Sequence, residues 1–460
     1  MTRTQNTSLG RELFTMTWPM VFGVLSLMSF QLIDSAFIAQ LGVLPLAAQG
    51  FTLPIGQLII GVQVGLGIAT TSVISIALGA NQEKYSKQLG GLVLALGGVG
   101  TAVICLLLYL IRHPLLEMLG ATADVMPIID TYWIVWLISS WVGAVLYFLY
   151  SVCRANGNTM LPGIMMVVTS ILNLAFDPLF IFYFDMGIHG AAVATILAFG
   201  LGALYVVYRI APKNYYSFDW KDLDLIKSIK SLFNIMMPAM TSQLMPPLAA
   251  MLSTKLLASF GTAAVAAWAL GSRYEFFAIV AVLALTMSMP PMIGRYVGAK
   301  QADNIIKLVK VATAFIIISQ LVIALITLAV SGGLSSLMTA EDNVEKILDM
   351  HLIIVPFSLA PLGVCILLVS VSNALGKPMR ALLVSSLRLF LFFLPCLYAG
   401  AHFGGIQGLF YGAAIGNTLA GIFAWIAYQN TINKLQKNGA LSAPFSYSVL
   451  RQLTEVFFCY

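Results

Sequence analysis

Twelve apolar stretches of about twenty residues or more follow one another along nearly the whole chain, at roughly 13–41, 46–78, 91–111, 125–150, 161–184, 187–209, 232–260, 264–295, 308–335, 346–372, 379–400 and 405–428. Each is long enough to cross about 30 Å of hydrocarbon as a helix. No water reaches a backbone at that depth, so each segment must satisfy its own N–H and C=O groups, as a helix does. Apolar residues make up 60% of the sequence and charged residues only 9%, against about 25% charged in a soluble domain. These features predict an all-α integral membrane protein with twelve transmembrane helices.

The twelve segments are two copies of six. Met237-Pro238 stands 219 residues after Trp18-Pro19, and the same shift carries Gly42 to Gly261, Ala47-Ala48 to Ala266-Ala267, Gly79-Ala80 to Gly298-Ala299 and Gly157 to Gly376. His189-Gly190 meets Gln407-Gly408 at a shift of 218, so one residue has been lost by then. Six is even, so both copies start on the same side of the bilayer. They form two six-helix lobes related by a pseudo-two-fold axis along the membrane normal. The expected organisation is an N-terminal lobe (1–209), a linker (210–231), a C-terminal lobe (232–430) and a tail (431–460).

Basic residues orient the chain. Nineteen Lys and Arg fall on the side of the termini, only Arg112 and Lys346 on the other, and Lys255, Arg273 and Arg388 lie inside apolar segments. Both termini are therefore expected in the cytoplasm, with the chain in the inner (plasma) membrane. The net charge of +6 is mostly this bias and calls for no nucleic acid. The first apolar run is too long for a cleavable signal peptide and lacks a small-residue cleavage site. The five cysteines have no metal-type spacing and read as packing residues. Within the polar stretch Arg209–Ser231, either a short amphipathic helix near 221–231, capped by Asp219, or a solvated linker is expected.

Where the copies differ, only the first carries acids: Asp34 faces Ser253, Asn173 faces Phe392, and Asp177 faces Cys396. An ionised acid at the centre of a membrane helix costs about 2.5–3.5 kcal/mol on insertion scales, so it marks function by default. Asp34 and Asp177 each lie about seven residues from the outer end of an outward-running helix, and Thr195 about eight residues along an inward-running one. At 1.5 Å per residue all three sit roughly 10–12 Å below the outer surface. Asn173 is one turn deeper than Asp177 on the same helical face. Two carboxylates in one apolar layer repel each other, and a proton or a hard cation such as Na⁺ held there relieves that repulsion. Asp34, Asn173, Asp177 and Thr195 are thus the candidate cation or proton site. Asp177-Pro178 also reads as a local device at a proline break, Asn173 as an interhelical hydrogen-bonding residue and Thr195 as a packing threonine.

The charges inside the second copy, Lys255, Arg273, Glu275 and Arg388, read first as structural pairs between lobes. The frequent methionines suit apolar packing or an adaptable cavity. Gly376-Lys377-Pro378 lacks the upstream glycine and the Ser/Thr of a phosphate loop, so no ATP is expected to bind and no cofactor beyond H⁺ or Na⁺.

Twelve helices in two lobes, Pro19 and Asp34 in helix 1, Asn173-x-x-x-Asp177 in helix 5 and Thr195 in helix 6 resemble the multidrug and toxic compound extrusion (MATE) transporters, and within them the DinF-like branch. The resemblance covers about residues 10–430. It implies a protonatable Asp34, a hinge at Pro19, supporting polar residues at Asn173, Asp177 and Thr195, and a cavity position at Tyr132. NorM-type members carry acids in helices 7 and 10, and neither helix 7 nor the stretch Leu352–Val371 has one here. The implied function is a monomeric antiporter, not an enzyme, that exports organic, cationic or amphipathic compounds against a cation, with H⁺ favoured over Na⁺. A lipid or lipid-linked oligosaccharide flippase of the same architecture is the alternative, kept open by Lys255, Arg273 and Arg388.

Overall fold

The structure, a computed structural model, describes residues 9–119 and 124–437, with side chains to 433. Arg3, Arg451, Cys459, the tail beyond 437 and the side chains of Lys434 and Lys437 lie outside the described residues. The first half contains α1 (Leu9–Ala39), α2 (Val43–Gly79), α3 (Glu83–Leu110), the short α4 (Arg112–Met118), α5 (Met126–Ala155), α6 (Met160–Pro178) and α7 (Ile188–Ile210). The second contains α8 (Leu225–Ala258), α9 (Thr262–Ala278), α10 (Val280–Gly298), α11 (Ala302–Met338), α12 (Asp342–Ile354), α13 (Leu359–Ala374), α14 (Pro378–Ser386) and α15 (Leu394–Lys437). Apart from α4, each first-half helix makes one crossing. In the second half α9 with α10, and α12 with α13, are broken crossings. α15 bends at Gly404–Gly405, where Gly405 has φ 59°, so it closes one crossing and makes the next. Twelve crossings result.

The repeat is written in the turns. Left-handed backbone recurs at Gly42 and Gly261, Asn81 and Lys300, Gly157 and Gly376, and Gly187 and Gly405. The first three pairs are 219 residues apart and the last 218. Glycine is favoured in this conformation because a Cβ would strain it.

The core divides by depth. On the side of the termini, apolar clusters mix the halves: Leu13 packs with Met289, Met292 and Ile293, Phe148 with Leu232 and Ile235, and Met20 with Ala284. There α2 and its repeat mate α10 cross so closely that Gly79 meets the Arg295 carbonyl and Gly298 the Ile76 carbonyl. Gly65 leaves room for Met236 and Met240, which places these methionines in the inter-half contact. Thr17 bonds Ser288 (2.8 Å), and Ser72 donates to the Asn373 carbonyl (3.0 Å). Toward the opposite side each cluster belongs to one half: Ile55, Trp133 and Ile188 in the first, Leu257, Val355 and Phe410 in the second. The halves are joined at the termini-bearing end, and their cores are separate at the other.

The segment between the halves is neither a separate helix nor a free linker. Asp224, not Asp219, caps α8, accepting from the Lys227 N–H (3.0 Å), so the helical part of the expected 221–231 helix is the start of α8. Before it, the strip from Tyr215 to Asp222 lies along α3. Ser217 N donates to the Lys87 carbonyl (2.8 Å), Gln88 donates to the Asp219 carbonyl (2.9 Å), Lys84 pairs with Asp222, and Gly90 and Gly91 admit the strip's backbone.

Candidate ion site

Three helices bring the first-half polar residues together. α1 packs against α6 because both carry glycine where they touch: Gly23 faces Met166, and Gly163 faces the Pro19 carbonyl, where a Cβ would stand 2.5 Å from the oxygen. Near their other ends Phe37 and Phe182 meet edge to face at 6.1 Å. Held along this seam, Asp34 of α1 stands close enough for its charge to act on Asp177 of α6. Pro19 is buried in α1, which runs through it as one helix. Its ring leaves the Thr15 carbonyl without an intrahelical N–H partner.

Asp177 and Asn173 are fully buried. The Asn173 amide has two possible orientations, and one of them would set its oxygen against a carboxylate. In the other its nitrogen donates to both Asp177 oxygens (2.9 and 3.0 Å) and its oxygen accepts from Thr195 Oγ1 (2.9 Å). α7 supplies Thr195, whose hydroxyl also lies 3.0 Å from the Ala191 carbonyl. Directly after Asp177-Pro178 the helix widens into a π turn, Leu179–Tyr183. Such turns recur at functional positions because they free a carbonyl and re-aim side chains.

Asp34 is partly buried and bonded differently. Gln49 of α2 donates to its Oδ2 (3.3 Å), and Oδ1 is buried without a partner. Tyr132 of α5 is buried within the field of Asp34, and its ring meets His189 edge to face at 6.3 Å. Of the four residues expected from the sequence, Asp177, Asn173 and Thr195 are hydrogen-bonded together, and Asp34 acts on Asp177 through its charge. Gln49 was not anticipated; a lone glutamine near the mouth of an apolar segment carries no signal of its partner. An orphaned carboxylate oxygen next to a second buried carboxylate suits a proton or a small hard cation.

Pairing between halves does not occur for the charges within the second half. Glu275 meets His351 of the same half, Nε2 to Oε1 2.9 Å. Among the described residues Lys255, Arg273 and Arg388 form no ion pair, because the second half places no other carboxylate within reach. Cys105, Cys153 and Cys365 are buried and unpaired.

The MatE family model matches residues 19–179 and again 238–398, once per half. The MATE transporter VcmN of Vibrio cholerae, solved in a bent form and as an aspartate-to-asparagine variant, is 62% identical, with a TM-score of 0.91 over 93% of this chain and 97% of that one. The FAD transporter of Shewanella oneidensis is 30% identical over 434 residues, 92% of this chain and 94% of its own. Multidrug export protein MepA of Staphylococcus aureus is 23% identical over 414 residues, 89% and 91% of the two chains.

Proposed function

Because the chain belongs to the MATE family of multi-pass membrane transporters, we propose that it is an antiporter that exports organic, cationic or amphipathic compounds in exchange for a cation, H⁺ first and Na⁺ second. It is a transporter and not an enzyme. The observation that carries the reading is the buried, unpartnered Asp34 Oδ1 beside Asp177. This site sits in the half of the membrane where the two cores are separate. The nineteen basic residues on the termini-bearing side support a cytoplasmic location for that face and an inner-membrane protein whose cleft opens outward. The absence of acids from α8 and α13 supports the DinF-like branch and a coupling site in the first lobe.

In this mechanism a proton from outside binds Asp34. The neutral carboxyl no longer repels Asp177, α1 bends where Pro19 interrupts its hydrogen bonds, and the first-lobe cavity shrinks and expels its cargo. Coupling requires that cation and cargo bind the two states unequally. The lobes, joined at their inner ends by Thr17–Ser288 and the Gly79–Gly298 crossing, then rock about that contact.

A second reading has one observation in its favour: Lys255 and Arg273 are exposed and unpaired, and Arg388 is unpaired near mid-membrane. Cations so placed suit a phosphate-bearing cargo, such as the FAD carried by the Shewanella relative or a lipid-linked pyrophosphate. Everted vesicles test both readings. Imposed proton and sodium gradients are applied separately, with ethidium as the cationic probe and FAD as the anionic one. Ethidium movement driven by the proton gradient is expected. Movement of FAD alone would move the assignment to anions, and no movement under either gradient would refute the antiport reading.

A further inference from the structure

The second lobe holds a buried ionisable pair of its own. His351 of α12 is fully buried, and its Nε2 lies 2.9 Å from Glu275 Oε1 of α9, within ion-pair range but not aligned as a hydrogen bond; its Nδ1 has no partner. The imidazole stands edge-on against two aromatic rings that stack on each other at 6.3 Å. Its centroid is 5.6 Å from Trp268 and 5.1 Å from Phe410, and those two rings are parallel within 3°. Gly271, one turn from Glu275 on α9, makes the space: a Cβ there would stand 2.5 Å from His351 Nε2. Glu275 is partly exposed, its side chain retaining 22% of its accessibility, so the pair has a path to water.

The repeat makes the position meaningful. His351 stands 219 residues after Tyr132, and Trp268 stands 219 after Gln49. His351, which faces this carboxylate, and Trp268, which packs on His351, thus occupy the places of the two first-half residues near Asp34. The acid itself has moved, from α1 in the first lobe to α9 in the second.

We propose that His351 and Glu275 form a second proton-exchange site, within the second lobe. A proton arriving from water through the part-exposed Glu275 carboxyl passes to Nε2, turning a neutral ring beside a carboxylate into an imidazolium–carboxylate pair. Release reverses that step, and no bond other than O–H and N–H forms or breaks. Histidine suits such a role because its proton equilibrium lies near physiological pH.

The surroundings leave Glu275 as the one ionisable group in contact with the ring. On α9, Tyr274 is turned to Thr327 of α11, and Arg273 is exposed. α15 presents Phe410. The part of α11 from Gln320 to Met338 carries no charge, nor does the turn Val355–Ser358. On α12 itself Asp349 and Lys346 precede the histidine by two and five residues.

The chain has four histidines, so ¹⁵N-histidine NMR of the full-length protein in nanodiscs can resolve each imidazole. The His351 signal is identified by its loss in His351→Gln. It is expected to pass between neutral and imidazolium forms as pH falls and to shift its midpoint in Glu275→Gln. The second readout is the number of protons moved per ethidium, taken from the opposing gradient that stops transport in proteoliposomes. It is expected to fall by about one in Glu275→Gln and in His351→Gln. A His351 signal that does not titrate, or a proton count unchanged in both variants, overturns the inference. The inference stands apart from Asp34: an inert His351 in a protein that Asp34→Asn uncouples removes the second site and leaves the first.

Discussion

The seam between α1 and α6 sets where Asp34 stands, and one substitution should open it. A Cβ at position 163 would lie 2.5 Å from the Pro19 carbonyl oxygen and 2.6 Å from its carbon, whereas ordinary contact begins at 3.4 Å. In Gly163→Ala the two backbones must part by about 0.9 Å. Overpacking of this kind costs about 1–3 kcal/mol. Asp34 is fifteen residues beyond Pro19, about 22 Å along the helix. A rigid shift of α1 by that amount moves Asp34 relative to both Asp177 and Gln49, whose bond to Asp34 is already long at 3.3 Å. Thermal unfolding in detergent and ethidium resistance in a strain lacking other pumps measure the two consequences. Gly100→Ala on α3 is the control, because a Cβ there meets nothing within 4 Å. Gly163→Ala should unfold at lower temperature and lose most resistance, with Gly100→Ala near wild type. Equal behaviour of the two variants would refute the idea that the seam positions Asp34.

Asn173→Leu removes both donors to Asp177 and should uncouple efflux more severely than Gln49→Leu, whose single bond is long; resistance profiles compared at equal membrane abundance decide this. Gly91→Val should dislodge the strip that joins the halves from α3, and is expected to raise cleavage by added protease between Tyr215 and Asp222. The exposed Lys84–Asp222 pair holds Asp222 below the usual carboxylate range, through a hydrogen bond from Lys84 and then its charge, and holds Lys84 above its own. What the pair contributes is present above the ordinary carboxylate range, is lost as pH falls through the lowered Asp222 value, and is lost again as pH rises through the raised Lys84 value. Because both groups are in water, Asp222→Asn should leave the melting temperature at neutral pH unchanged within error.

Length and hydropathy made the crossings legible, and the 219-residue register made their pairing legible. The trio at Asp177 was also legible, since Asn173 and Asp177 share a helical face and Thr195 matches their depth. Which helix turns which face to which neighbour was not. Gln49 and His351 are single polar residues whose meaning depends on a partner fifteen and seventy-six residues away, and no periodicity records that. The cap of α8 was placed five residues early because Asp219 and Asp224 are equal as capping types. Only the docking of the preceding strip on α3 separates them. The breaks between α9 and α10, and between α12 and α13, fall inside continuous apolar runs and left no mark on hydropathy.

The proton-exchanging role proposed for Asp34 is tested most directly by purified protein in proteoliposomes, with ethidium extrusion followed after a pH jump and ethidium binding measured in parallel. Asp34→Asn should bind ethidium as the wild type does while its gradient-driven extrusion falls to the protein-free background. Extrusion by Asp34→Asn at the wild-type rate would contradict the account.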